Sequence, residues 1–203
     1  TRSRSDEPLK DGCESMPELD EDLLAIAQAT ASQARTFLVT VTEVSAGAAP
    51  DAALPLLLLA LADLTAAGAS LGAITDVVPA TRFEPDDGPD PDLDPLRIGL
   101  ANALDGIDSY ADVSDPVLES EAIAGSISGD LATIAQALAQ GLIHFDAGHT
   151  SEALWWWQFS YLQVWGDRAA SSLRVVLSLL AHLRLDVPDD VAAEAEFEAL
   201  HGM

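Results

Sequence analysis

Three histidines and a carboxylate cluster in the second half of the chain: His144, Asp146 and His149, with His182 further on. Imidazole and carboxylate are ligand types for a transition metal. Their spacing argues against a site. His144 and His149 are five residues apart, which does not align them on one helical face. A single cysteine, Cys13, excludes an intrachain disulfide framework and a cysteine-based zinc site. It also makes a reducing, cytoplasmic setting the default expectation. Glu152, Asp167, Arg168 and Arg174 are charges in an otherwise apolar segment. Burial there would require them to pair or to line a polar pocket. The chain has no nucleophile elbow, Walker A loop or dinucleotide fingerprint. The sequence therefore predicts no catalytic residue, no metal ligand and no cofactor.

The second candidate is aromatic. All four tryptophans fall in the 11 residues from Trp155 to Trp165, together with Phe159 and Tyr161. At about 100° per residue, Trp155, Phe159 and Leu162 share one helical face. Leu154, Trp157, Tyr161 and Trp165 share a second, and Trp156, Ser160 and Gln163 lie between them. Aromatic stripes at helical spacing predict core packing. The functional alternative is a partner or ligand surface formed by Trp156, Trp157, Tyr161, Trp165 and Arg168. Trp156 is the preferred anchor, because its side also carries Ser160 and Gln163. Tryptophans on one helix point in different directions, so they build no cation cage alone.

The third candidate is electrostatic. Glu84, Asp86, Asp87, Asp90, Asp92 and Asp94 alternate with prolines and a glycine. An EF-hand starting at Asp90 would need Gly at position 6 and Glu at position 12, where Pro95 and Ala101 stand. The stretch reads as a solvated loop suited to dock a basic partner. The whole chain carries 34 acidic and nine basic side chains, a net charge of −25. That charge is uneven: residues 23–75 and 123–185 contribute only −3, while the ends and the stretch 76–122 contribute −22. Nucleic acid and anionic membrane are poor partners for such a surface.

The elements that must position these groups are helices. Of 203 residues, 35 are Ala and 30 are Leu, both strong helix formers, and 49% of the chain is apolar. Residues 1–14 read as a mobile acidic tail. Ser15-Met16-Pro17-Glu18 predicts a capping box opening a helix that runs to Ala46, with Gly47 as its stop. Asp51 is expected to cap a second helix from Ala52 to Ile74. Its apolar run from Ala52 to Ala62 is shorter than the ~20 residues of a membrane span. After the acidic loop of residues 76–95, Asp94 opens a short helix to Gly106, and 107–125 read as irregular. A further helix runs from Ser128 to Ala147, stopped by Gly148. The tryptophan helix begins at Thr150 or Ser151, with Gly166-Asp167 marking a kink or break before the pattern resumes to Arg184. Residues 187–203 read as an acidic helix or tail.

The string from Arg82 to Arg97, and Glu152 to Tyr161 followed by Trp165-Gly166, resemble segments of the actinobacterial "domain of unknown function 5063" family. Asp108, Tyr110 and Asp115-Pro116 fit the same spacing, although Val117 stands where that family carries an aromatic residue. The resemblance covers residues 33–186 and implies no activity, cofactor or catalytic residue.

Taken together, the chain is expected to be all-α: a single bundle of five or six mostly antiparallel helices over residues 15–186, with a long acidic proline-rich loop. The sequence favours a non-enzymatic protein-interaction or scaffold domain with an unknown protein partner. A small-molecule-binding helical domain, with a pocket beside the tryptophan helix, is the alternative. An enzyme of unknown reaction ranks third.

Overall fold

The structure, a computed structural model, describes residues 20–79, 92–113, 117 and 121–185. The expected tails at 1–14 and 187–203, the capping box at Ser15, the Asp115-Pro116 turn and the acidic residues Glu84 to Asp90 lie outside them. The described residues are mostly helical, as composition requires: α1 (Glu21–Ser45), α2 (Ala53–Ala73), α3 (Asp94–Ala103), α4 (Ile127–Asp146), α5 (Thr150–Ser160) and α6 (Gly166–Leu185).

The glycine stops are where expected. Gly47 and Gly148 take φ of 68° and 85°, the left-handed conformation that ends a helix without a side-chain penalty. The helix starts differ. α1 begins at Glu21, capped by the Asp20 carboxylate on the Asp22 amide. Asp51 caps nothing; it lies in a one-turn 3-10 helix, Pro50–Ala52, ahead of α2. α3 ends at Ala103 rather than Gly106, and at its start the Asp92 carboxylate accepts from the Asp94 amide.

The larger correction concerns the stretch read as irregular. It contains an antiparallel pair, β1 (Ser109–Val113) and β2 (Ala122–Ser126), in register Ser109 to Ser126 and Val113 to Ala122. The Asp108 carboxylate anchors its base by accepting from the Ser128 amide at 2.7 Å and from the hydroxyls of Ser126 and Ser128. It thereby covers the N-terminal turn of α4, whose open N–H groups favour an anion.

α5 and α6 form one continuous rod through a π-helical turn, Tyr161–Trp165. The break thus precedes Gly166 instead of following it. The Gly166 amide bonds back to the Tyr161 carbonyl, and a Cβ on Gly166 would lie 2.5 Å from that oxygen. Only glycine fits there, which explains the Trp165-Gly166 pair. π-turns of this kind often re-aim side chains at functional sites.

Phe37 and Val41 of α1, Leu57, Leu61 and Leu64 of α2, and Leu131, Ile134 and Leu138 of α4 form the core with the rod. α2 packs on α1 and α6. With its preceding turn it spans 24 residues and is long and apolar enough to cross a membrane by length and composition. In the bundle, a third of its most apolar window is buried.

Candidate functional site

The rod divides the aromatic segment by burial. Trp157 and Trp165 are fully buried. The Trp157 indole donates to the Leu138 carbonyl and the Trp165 indole to the Ser160 hydroxyl, so both polar tips are satisfied inside. Trp157 fits because α4 has no side chain at Gly141, where a Cβ would lie 2.0 Å from the indole nitrogen. Tyr161 is half-buried, with its ring edge-on to Trp165 at 4.8 Å. Trp156 is half-buried too, and its indole donates to the Ala137 carbonyl of α4 at 2.8 Å. Ser160 does not mark a wet side: it is buried beneath Trp165. Of the five predicted surface residues, the structure therefore encloses Trp157 and Trp165 and ties Trp156 to α4.

What faces outward is the first of the three stripes at Phe159 and Leu162, with Trp155 half-buried. Trp155 stacks on Phe159, with centroids 5.5 Å apart and planes 14° from parallel. Phe159 is 46% exposed and Leu162, one turn on, 63%. Val164, inside the π-turn, is exposed as well. This is a contiguous apolar strip rather than scattered single residues, the pattern that marks contact surfaces.

One residue inside the motif ties this strip to the acidic stretch. Gln158 is 4% exposed. Its Oε1 accepts the Val77 amide at 2.8 Å, while its Nε2 donates to the Leu71 carbonyl at 3.0 Å and faces those of Ile74 and Thr75. The last carbonyls of a helix have no partner within it, so Gln158 caps α2 from a different helix. It thereby fixes where the chain leaves α2 for the acidic stretch, against the residue that precedes Phe159 in the rod. Asp76 and Val78 on either side of that anchor are both exposed. At the far end of the stretch, Asp94 pairs with Arg97 at 2.9 Å.

Arg168 belongs to a separate polar network. Its guanidinium pairs at 2.6 Å with Asp130, whose side chain is 6% exposed. The other Asp130 oxygen accepts the Tyr110 hydroxyl at 2.6 Å. Arg174 reaches Asp112 at 3.4 Å. The network joins the β-hairpin to α4 and α6. Burial, the hydrogen bond to Asp130 and the charges of Asp130 and Asp112 push the Tyr110 phenol well above its usual value. At Asp112 burial acts upward, but hydrogen bonds from Ser171 and the Val113 amide, with the Arg174 charge, outweigh it and hold the carboxyl below its usual range. These groups are engaged with one another, as a structural clamp requires. Sequence pattern points to Arg168 and Arg174, but not to their partners, Asp130 of α4 and Asp112 of the hairpin.

The histidines do not converge. His144 is buried in α4, while His149 and His182 are exposed. Asp146 pairs with Arg35 of α1 instead. Among the described residues no three metal-ligating side chains come together.

The family described as a domain of unknown function (DUF5063) matches residues 21–182, most of the chain. The chain belongs to that family. Its matched region spans the helices, the hairpin, Gln158 and the aromatic strip. No curated protein matches the chain. Among solved structures, the crystal structure of protein BF1032 from Bacteroides fragilis is similar, with a TM-score of 0.54 and 19% identity. The match covers 84% of this chain and 96% of that one. At that identity the likeness extends to the fold of this DUF5063 member and no further.

Proposed function

We propose that this DUF5063 chain is a non-enzymatic protein-interaction domain. It holds a partner segment that combines basic residues with an apolar anchor. The anchor packs on Trp155, Phe159 and Leu162. The basic residues face the acidic stretch from Asp76 to Asp94, whose seven acids and one base give it a net charge of −6. The observation that supports the reading is the Gln158 to Val77 hydrogen bond, because it holds the start of the acidic stretch, with Asp76 exposed, against the rod that carries the strip. An apolar anchor supplies affinity, and surrounding charge supplies steering and choice of partner. Tyr110 and the carboxylates around it support a non-enzymatic reading, since they are consumed in mutual bonds.

The test uses a fluorescent synthetic peptide of alternating arginine and leucine. Wild type should bind it, and the affinity should fall steeply as salt rises. Combining Phe159→Ser with Leu162→Ser should weaken it by roughly tenfold or more, the cost of losing an interface anchor. Equal binding by wild type and the double variant would sink the reading.

A further inference from the structure

Between the β-hairpin and α6 lies an open cleft of about 420 Å³, lined by Ala111, Asp112, Val113 and Ala122 of the hairpin and by Asp167, Ser171 and Arg174 of α6. It shares no lining residue with the aromatic strip. Asp167, Ser171 and Arg174 are spaced i, i+4, i+7, so α6 presents them on one face. The paired residues Val113 and Ala122 supply an apolar wall.

The charges on that face are of both signs. Arg174 makes one long contact, 3.4 Å to Asp112, and its side chain is 61% exposed. A guanidinium carries five N–H donors, so most of them remain available to an incoming carboxylate. Asp167 is exposed in the first turn of α6 and has no ion-pair partner among the described residues. It is therefore open to an ammonium. The seven-residue separation is about 10 Å along the helix axis. An ammonium and a carboxylate on adjacent atoms would not reach both ends together. Between them, Ser171 is buried and lines the cleft with Asp112, which gives it a polar floor.

We infer that this cleft binds a small zwitterion whose free ammonium and free carboxylate are several bonds apart, as at the two ends of a short peptide. The ammonium pairs with Asp167 and the carboxylate with Arg174, while the intervening chain lies against Val113 and Ala122. One charge of each sign in the ligand matches the two ends of the cleft. A simple anion would meet Asp112 and Asp167, and a simple cation would meet Arg174.

Trialanine tests this, followed by the backbone amide signals of Val113 and Ala122 in NMR titrations. Two blocked forms, acetylated at the amine or amidated at the carboxyl, each remove one charge. The zwitterion should give saturable shifts, and either blocked form should bind at least about tenfold more weakly, a difference of ~1.4 kcal/mol. Asp167→Asn should weaken trialanine without affecting the amine-blocked form. Arg174→Gln should weaken it without affecting the amidated form. Asp167 lies outside the hairpin network, so circular dichroism of Asp167→Asn should match wild type, while unchanged binding of the amidated form by Arg174→Gln controls for its lost Asp112 contact. No saturable shift, or equal binding of a blocked peptide, would overturn the assignment.

Discussion

Gln158 accepts the Val77 amide at 2.8 Å and donates to the Leu71 carbonyl at 3.0 Å, so one buried side chain holds both the end of α2 and the chain that follows it. Replacing it by leucine keeps the volume but strands an amide and several carbonyls. Each buried polar group left unpaired costs about 1–3 kcal/mol. Gln158→Leu should therefore lower stability by about 3 kcal/mol in urea titrations. It should also release the chain after α2, so protease cleavage near Val77 should quicken more than cleavage elsewhere. Global destabilisation with an unchanged cleavage pattern would show that the side chain does not anchor that segment.

Gly141 makes room for Trp157. Adding a methyl group there puts a carbon 2.0 Å from the indole nitrogen, and the neighbouring atoms belong to the same rigid ring. Gly141→Ala usually favours a helix by up to ~1 kcal/mol. Here overpacking, at about 1–3 kcal/mol, should win. Denaturant titration should show a net loss, with altered tryptophan fluorescence in the folded state. A gain in stability would mean that α4 and α5 can separate freely.

Tyr110 makes a pH-dependent contribution with a definite sign. Its phenol is held above the ordinary value by burial first, then by its bond to Asp130 and the nearby carboxylate charges. The folded state thus keeps a proton that the unfolded chain releases above about pH 10. The contribution is complete below that pH and is lost as pH rises beyond it. Tyr110→Phe should cost about 1 kcal/mol at neutral pH, the value of the missing hydrogen bond. Between about pH 9 and 11 its urea midpoint should fall less than that of wild type. Parallel alkaline declines would exclude Tyr110 as the source.

Much of the architecture was legible because it rests on local signals. Gly47 and Gly148 mark helix ends through backbone conformation, and the apolar spacing of α1 and α4 marks their inner faces. The hairpin was not legible. Ala122 to Ser126 is short and rich in small residues, with no alternation to signal a strand, and its pairing depends on β1 and on the distant hold of Asp108. The aromatic segment was legible as a set of stripes, but not in which stripe faces solvent. That depends on where α4 and α2 pack, which leaves Trp156 bonded to α4 and exposes Phe159 and Leu162. A lone glutamine such as Gln158 reads in sequence as a solvent-facing residue. Only the fold shows it beneath the end of α2.

The central claim is that the strip of Trp155, Phe159 and Leu162 is where a partner sits. A photo-crosslinking amino acid placed at Leu162 tests it most directly, with Leu183 as the control. Both positions are exposed and apolar, and they lie roughly 30 Å apart along the rod. In a native lysate, position 162 should capture a discrete partner whose crosslinked peptide contains lysine or arginine around an apolar residue. That product should fade at high salt, and position 183 should not give it. Equal capture at both positions, or an acidic crosslinked peptide at 162, would contradict the account.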